Sequence, residues 1–286
     1  MNDSEVFIVG ANGQLGTALR EVYPGAQSAD IGELDITNQQ SVEQFDWSGI
    51  KVIFNAAAYT NVDGAETAEG RVAAWKVNAV AVSYLAKVAR EHEITLVHVS
   101  TDYVFDGTHD AHAETEDFSP LSVYGQSKAA GDIAVSLVPR HYILRTSWVI
   151  GKGKNFVLTM KSLAEKGVTP HVVDDQVGRL TFTEDLAAAM KHLVETNAVF
   201  GTYNVTNDGE SASWCDVAKS VYQLAGHDAS EVSGISTEKY YEDKTDIAPR
   251  PLKSTMNLDK IKATGFTPRD WHEALAVYWK ELINEE

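Results

Sequence analysis

Short, nearly continuous apolar runs recur along the first half of the chain and alternate with stretches of helical period. The runs are VFIV (6–9), VIFN (52–55), ITLVHVS (94–100) and HYILRTS (141–147), with a weaker one near 26–30. Apolarity without a polar alternate marks parallel strands buried on both faces. Helical patterns fall between them at 15–22, 68–92 and 127–138. Strands and helices taking turns at this spacing predict an α/β fold. The expected architecture is a Rossmann-like, doubly wound parallel sheet over residues 1–150. Later helices are expected at 156–166, 183–195, 214–225 and 271–284, and short strands at 171–173 and 202–205. Glycine and proline punctuate this part, most clearly at Ala248-Pro249-Arg250-Pro251. Residues 151–286 therefore read as a smaller substrate-binding lobe, with the chain crossing back between the two parts.

Composition narrows the classes. At 286 residues, 44% of them hydrophobic and 23% charged, the chain is an ordinary globular protein with room for a sizeable core. It carries 24 Lys and Arg against 41 Asp and Glu, a net charge of −17. Such a surface repels nucleic-acid phosphates and anionic membranes, so neither is an expected partner. The single cysteine, Cys215, excludes an internal disulfide and reads as core filler in a helix. The start, MNDSE, is acidic and resembles no secretory signal, and no apolar run reaches a membrane span, so a cytoplasmic location is expected. The histidines lack metal-ligand spacing, and no catalytic metal is expected.

The string Gly10-Ala11-Asn12-Gly13-Gln14-Leu15-Gly16 follows the first strand at once and opens a helix. In that place glycines permit a sharp turn, close approach to a pyrophosphate, and tight helix–strand packing. The helix start adds free N–H groups and a partial positive charge. Asp30, at the expected end of the second strand, suits the adenosine ribose hydroxyls, or is simply a polar strand end. Asp35 and Ile36 are placed to flank the adenine. No arginine follows that strand to receive a 2′-phosphate, so NADPH and NADH both remain open. Asn55-Ala56-Ala57-Ala58 closes the third strand with small residues, where a dinucleotide crosses the sheet edge, and Tyr59-Thr60 follow.

Tyr124 and Lys128 lie four apart, on one face of a helix. A free tyrosine, with a pKa of about 10, is a poor proton donor–acceptor at neutral pH. A nearby ammonium and a nicotinamide cation are expected to lower that value. Tyr124 then protonates a carbonyl oxygen as hydride arrives, while Lys128 also holds the nicotinamide ribose. Thr101, ending the fourth strand, is placed to share the developing charge on the substrate oxygen. Tyr-x-x-x-Lys alone is common on helix surfaces; behind a dinucleotide turn and a strand-end hydroxyl it is specific. Asn78 fits a backbone–water relay to Lys128, or is a plain helix-surface asparagine.

Taken together, these segments resemble the extended short-chain dehydrogenases that act on nucleotide sugars, most nearly the dTDP-4-dehydrorhamnose reductases. The resemblance spans nearly the whole chain. It rests on residues 10–16, Asn-Ala-Ala-Ala-Tyr-Thr (55–60), Val-Asp (62–63), Ser-Thr-Asp-Tyr-Val-Phe-Asp-Gly (100–107), Tyr-Gly-x-x-Lys (124–128), Arg-Thr-Ser-Trp-Val (145–149), Asp-x-x-Gly (175–178) and Arg-Pro (250–251). It implies reduction of the 4-keto group of dTDP-4-dehydro-L-rhamnose by NADPH or NADH. It further implies a cofactor site at Gly10, Asn12, Gly13, Gln14, Leu15, Gly16, Asp30, Asp35, Ile36, Ala57, Ala58, Tyr59, Thr60, Asn78, Tyr124 and Lys128. Val62, Thr101, Asp102, Tyr103, Trp148 and Arg250 are the implied substrate residues, and Thr101, Tyr124 and Lys128 the catalytic ones.

Related 4,6-dehydratases resemble Ser-Thr-Asp-Glu where this chain has Tyr103, which favours reduction over elimination. Lys152, Lys154, Arg250 and Lys253 are candidates for the pyrophosphate. Gly178-Arg179-Leu180-Thr181 lacks the family's proline. Ala18 replaces a glutamate that joins an interface metal in some members, leaving Glu184 alone, so a metal-bridged dimer is not expected. A monomer, a weak dimer, or one module of an epimerase–reductase fusion all suit this chain. The competing readings are another nucleotide-sugar dehydrogenase or epimerase, and a non-catalytic regulator resembling the beta subunit of methionine adenosyltransferase.

Overall fold

Every residue of VFIV (6–9) and VIFN (52–55) is buried, because each strand feeds a core on both faces of one sheet. The computed structural model describes residues 2–284. Its central sheet contains β1 (Val6–Val9), β2 (Gln27–Ala29), β3 (Val52–Asn55), β4 (Thr95–Thr101), β5 (His141–Thr146) and the strand Gly201–Asn204. Their order across the sheet is the 201–204 strand, β5, β4, β3, β1, β2. All five pairings are parallel. The α/β expectation is borne out.

The helices are α1 (Gln14–Val22), α2 (Gln39–Gln44), α3 (Ala68–Trp75), α4 (Ala81–Glu91), α5 (Val123–Ser136), α6 (Phe156–Glu165), α7 (Thr183–Glu195), α8 (Trp214–Leu224), α9 (Thr237–Tyr241), α10 (Asp259–Ala263) and α11 (Trp271–Asn284). Val6 and Ile8 of β1 pack with Leu19 of α1 and Leu186 and Met190 of α7. Phe7 and Val9 pack on the other face with Val42 of α2, Leu85 of α4 and Val135 of α5. That division is why the strand reads as unbroken apolarity rather than alternation. Both α7, which packs on this sheet, and the 201–204 strand at its edge follow residue 150.

A third core, around Val157, Phe182, Cys215, Tyr222, Trp271 and Trp279, organises the remaining segment. Cys215 is the buried filler expected of it. No described helix is long and apolar enough to cross a membrane.

One expected element is divided. The helical pattern over 68–92 runs as α3 and α4 joined by a π-turn at Lys76–Val80. Such turns concentrate at functional positions, and this one carries Asn78.

The sheet's topology reverses beside β1, with β2 on one flank and β3 on the other. The crevice beyond the carboxyl ends of β1 and β3 is therefore the expected ligand position. Two glycines set its geometry. Gly10 has φ +75°, and a Cβ there would sit 2.6 Å from the Ala57 nitrogen. A Cβ on Gly16 would lie 2.1 Å from the Gly10 carbonyl oxygen, so α1 can approach the turn only without a side chain. Gly16→Ala is expected to cost about 1–3 kcal/mol through overpacking. Thermal unfolding should show a lower Tm, while Gly32→Ala, with nothing within 4 Å of its added Cβ, should leave it nearly unchanged.

Candidate active site

A crevice of about 470 Å³ opens at the switch point. It brings together Gly10, Asn12, Gly13, Asp30, Asp35, Ile36, Ala57 and Ala58, all predicted there. Gly13 precedes α1 and supplies no side-chain cap, whereas Ser122 caps α5 and Asn155 caps α6. The first N–H groups of α1 are thus left for an anionic guest. Leu15 and Gly16 offer only backbone to such a guest: Leu15 is in the core and Gly16 is packed on the Gly10 carbonyl. The Gln14 amide turns away, donating to the Lys154 carbonyl oxygen (3.2 Å). Asp30 accepts the Asn12 and Ile31 amides (2.9 and 2.8 Å), so it also shapes the turn. Arg20 of α1 reaches Asn12 Oδ1 at 3.4 Å, bringing a cation to this turn from a helix rather than from the loop after β2.

Asn78 is buried by the π-turn, which removes the helix-surface reading. Its Oδ1 accepts the Tyr59 amide (2.8 Å), and its Nδ2 donates to the Tyr59 carbonyl and the Ser127 hydroxyl (both 3.0 Å). The loop after β3 is thereby tied to α5. Tyr59 and Tyr124 both pack on the small cluster of Ala65, Ala74 and Val123, while Thr60 is exposed and Val62 half-buried farther along.

Thr101 ends β4, and Tyr124 lies in the first turn of α5, begun by Ser122 accepting the Gly125 amide at 3.1 Å. The Tyr124 hydroxyl lies near the Thr101 side chain. The expected downward shift of Tyr124 is not present in the protein alone. Burial pushes its hydroxyl well above the ordinary tyrosine range, Thr101 opposes this, and the Asp102 and Asp132 carboxylates add to it. A tyrosine so placed stays protonated, as a proton donor must.

Lys128, four residues on, is fully buried and turns to the sheet. Its Nζ donates to the Val99 carbonyl oxygen (2.6 Å) and lies 3.4 Å from His98 Nε2. Burial brings its ammonium down to about 8, with Asp132 pulling upward.

Asp102 is buried beside Tyr124 and Tyr103. It accepts the Thr101 hydroxyl at 2.9 Å and the Ser254 hydroxyl on its other oxygen. Burial lifts its carboxyl to about 6 against both hydrogen bonds.

Tyr103 meets Tyr124 edge-on, with centroids 5.5 Å apart and planes at 79°. It also lines a second cleft of about 400 Å³, shared with Phe156, Gln176, Trp214, Tyr241 and Arg250. Trp148 does not itself line this cleft. It stacks on Trp214 at 3.8 Å and takes a left-handed φ of +48°, a costly conformation for a bulky residue. Arg250 lines the cleft but is paired, donating to Asp63 Oδ2 (2.9 Å) and the Ala248 carbonyl (2.8 Å). Lys152 pairs with Glu21 and Lys253 with Asp110, and neither lines the cleft. Among the described residues, no three His, Cys, Asp or Glu side chains are grouped to hold a metal ion.

Sequence reasoning missed Ser254, Trp214, His98 and Asp132, and it quoted Asp63, Asn55 and Arg145 within motifs without giving them a role. Asp132 had one usable signal, its i+4 spacing from Lys128 on α5. Ser254, Trp214 and His98 come from distant segments and gave none.

Comparison with known proteins identifies the family. The family described as the RmlD substrate binding domain matches residues 4–284. A dTDP-4-dehydrorhamnose reductase of Aggregatibacter actinomycetemcomitans is 38% identical over 95% of this chain and 97% of its own. A dTDP-4-keto-6-deoxy-D-glucose reductase of Streptomyces niveus is 37% identical over 98% of both chains. The structure of dTDP-4-dehydrorhamnose reductase from Bacillus anthracis in complex with NADP superposes with a TM-score of 0.88 at 35% identity, covering 96% of this chain and 98% of that one. The chain therefore belongs to the RmlD substrate binding domain family, among the dTDP-4-dehydrorhamnose reductases.

Proposed function

We propose that the chain reduces the 4-keto group of dTDP-4-dehydro-L-rhamnose with NADPH or NADH, giving dTDP-L-rhamnose in the last step of dTDP-rhamnose synthesis. One observation carries the reading. Tyr124 presents a protonated hydroxyl beside Thr101, on the small apolar cluster that also takes in Tyr59, and edge-on to Tyr103 from the aromatic cleft.

The crevice fits a dinucleotide on this chain's own terms: an uncapped helix start, a glycine turn and an acid at the end of β2. When bound, the reduced nicotinamide supplies the hydride. Tyr124 faces the substrate carbonyl oxygen and gives up its proton as charge develops there, and Thr101 adds a second donor once its hydroxyl turns from Asp102 to that oxygen. Tyr103 occupies the position where dehydratases resemble a glutamate, and a neutral phenol cannot serve as an elimination base. Arg250 supplies charge for the pyrophosphate of the nucleotide sugar, with Asp63 holding its guanidinium in place. Trp214, backed by Trp148, offers an apolar ring to the same ligand.

The Streptomyces relative, at an identity close to that of the Aggregatibacter one, supports a second reading with the same chemistry on the unepimerised sugar. An NADPH-oxidation assay separates the two. Turnover of dTDP-4-keto-6-deoxy-D-glucose only when a coupled 3,5-epimerase is present supports the first; turnover without it supports the second. No oxidation above the no-sugar control in either case would overturn both.

Three further outcomes are expected. Tyr124→Phe should lose roughly a hundredfold or more in kcat at every pH, since a general acid contributes about 10²–10⁴; near-normal turnover removes Tyr124 from the reaction. An ionised Asp102 opposes tyrosinate on Tyr124, so kcat/KM for reduction should decline as pH rises through about 6. Asp102→Asn should flatten that step, which a pH–rate series on both proteins will read. Asp30→Ser should weaken NADH more than NADPH, moving the ratio of their kcat/KM values by about tenfold toward NADPH. An unchanged ratio would confine Asp30 to shaping the turn.

A further inference from the structure

Behind Lys128 lies a buried polar group that the reaction as described does not use. Asn55, at the end of β3, accepts the Ala57 amide through Oδ1 (3.2 Å). Its Nδ2 therefore faces His98 Nδ1 (3.0 Å) as a donor. His98 Nδ1 must accept, and the neutral ring carries its proton on Nε2. That proton is directed to the side of Lys128 Nζ, 3.4 Å away, and Asp132 Oδ1, 4.0 Å away. Two donors, His98 Nε2–H and the Lys128 ammonium, thus face each other, which disfavours the ammonium. The Val99 carbonyl favours it.

The carboxylate that counterbalances this conflict is Asp132, one helical turn beyond Lys128 on α5. Its Oδ2 accepts Arg145 Nε at 3.2 Å. Its Oδ1 is buried beside the Ser100 hydroxyl and 4.0 Å from His98 Nε2; burial raises the carboxyl, while Arg145, Ser100 and Lys128 oppose this. Arg145 is not Asp132's alone: it donates to the Glu114 carbonyl (3.2 Å) and lies over the Phe105 and Phe118 rings. Arg145 thus takes one oxygen of Asp132, and the other is left on the side of His98, where its charge is felt by Lys128. The titratable and charged groups around Lys128 are His98 of β4, Arg145 of β5, Asp132 and Tyr124 of α5, and Asp102 beyond Tyr124.

We propose that Asp132 is a positioning residue for this reaction, acting through Lys128 by keeping its ammonium charged against the His98 Nε2–H. This rests on the reading of Tyr124 and Lys128 above. Removing the carboxylate lowers the affinity of Lys128 for its proton in two ways: an attractive charge is lost, and Arg145 is left as an uncompensated like charge. Burial already brings the ammonium down to about 8, so the lysine of such a variant is neutral near physiological pH.

The test compares Asp132→Asn and Asp132→Glu with the parent over pH 5.5–9.5, using NADPH and a dTDP-4-keto-6-deoxy sugar. In Asp132→Asn the alkaline limb of kcat should move down by about one pH unit or more, with the sugar's KM little changed and NADPH affinity retained. Asp132→Glu should bring the limb back toward the parent. A substrate-free reading comes from 13Cε-lysine NMR, with the Lys128 signal assigned by its loss in Lys128→Met: the midpoint should fall in Asp132→Asn. An unmoved NMR midpoint overturns the proposal. So does a pH-independent loss of kcat with lower Tm that Glu does not rescue, since that is the mark of a merely structural carboxylate. If Tyr124→Phe turns over normally while the lysine midpoint still shifts, it is the reading of Tyr124 that fails.

Discussion

A buried ammonium must find its compensation within a few ångströms, and the position of α5 over β4 and β5 follows from that requirement. Desolvating a single ion costs several kcal/mol in a protein interior. Lys128 meets the cost by donating to the Val99 carbonyl from β4 and, without a direct ion pair, through the charge of Asp132 on its own helix, itself bound to Arg145 from β5. These contacts fix how far α5 slides along the sheet. With α5 fixed, Tyr124 falls opposite Thr101, and Gly125 lies where its absent side chain would strike the Tyr103 carbonyl at 2.2 Å.

The cofactor side is governed by sterics rather than charge. Gly10 and Gly16 let β1, the loop after β3 and α1 converge more closely than any side chain would allow. Asn78 then bridges that loop to α5 through Ser127, so crevice and catalytic helix are one rigid unit. On the substrate side the restraints come from the segment after residue 150. Ser254 fixes Asp102, Trp214 backs onto Trp148, and Arg250 reaches across to Asp63. The groups on either side of Tyr124 are thus delivered by remote parts of the chain.

The environment of Tyr124 differs from the simple picture of a tyrosine activated by a neighbouring lysine. Four residues of helix place Tyr124 and Lys128 on one face, but Lys128 is spent on the sheet while two carboxylates stand near the phenol. The protein alone holds Tyr124 protonated. That suits donation in the reductive direction, and it assigns any lowering of its affinity for the proton to the moment of reaction rather than to the resting site.

Local pattern alone determined the α/β alternation, β1 and β3 residue for residue, the glycine turn and the order of Thr101, Tyr124 and Lys128, because each rests on short-range periodicity or spacing. The same spacing put Asp30, Asp35, Ile36, Ala57 and Ala58 around one crevice, since strand ends converge wherever a parallel sheet reverses its order. What Lys128 bonds to, what holds Asp102, whether Arg250 is free and which tryptophan faces the cleft were decided by tertiary structure. Each depends on partners 29 to 187 positions away, from the Lys128–Val99 bond to the Arg250–Asp63 pair. The split of the 68–92 helix at a π-turn also had no local signal, because Lys76–Val80 is compatible with regular helix. Packing of Asn78 against Tyr59 and Ser127 favours the extra residue in that turn, and a contact between distant segments leaves no period in the sequence to read.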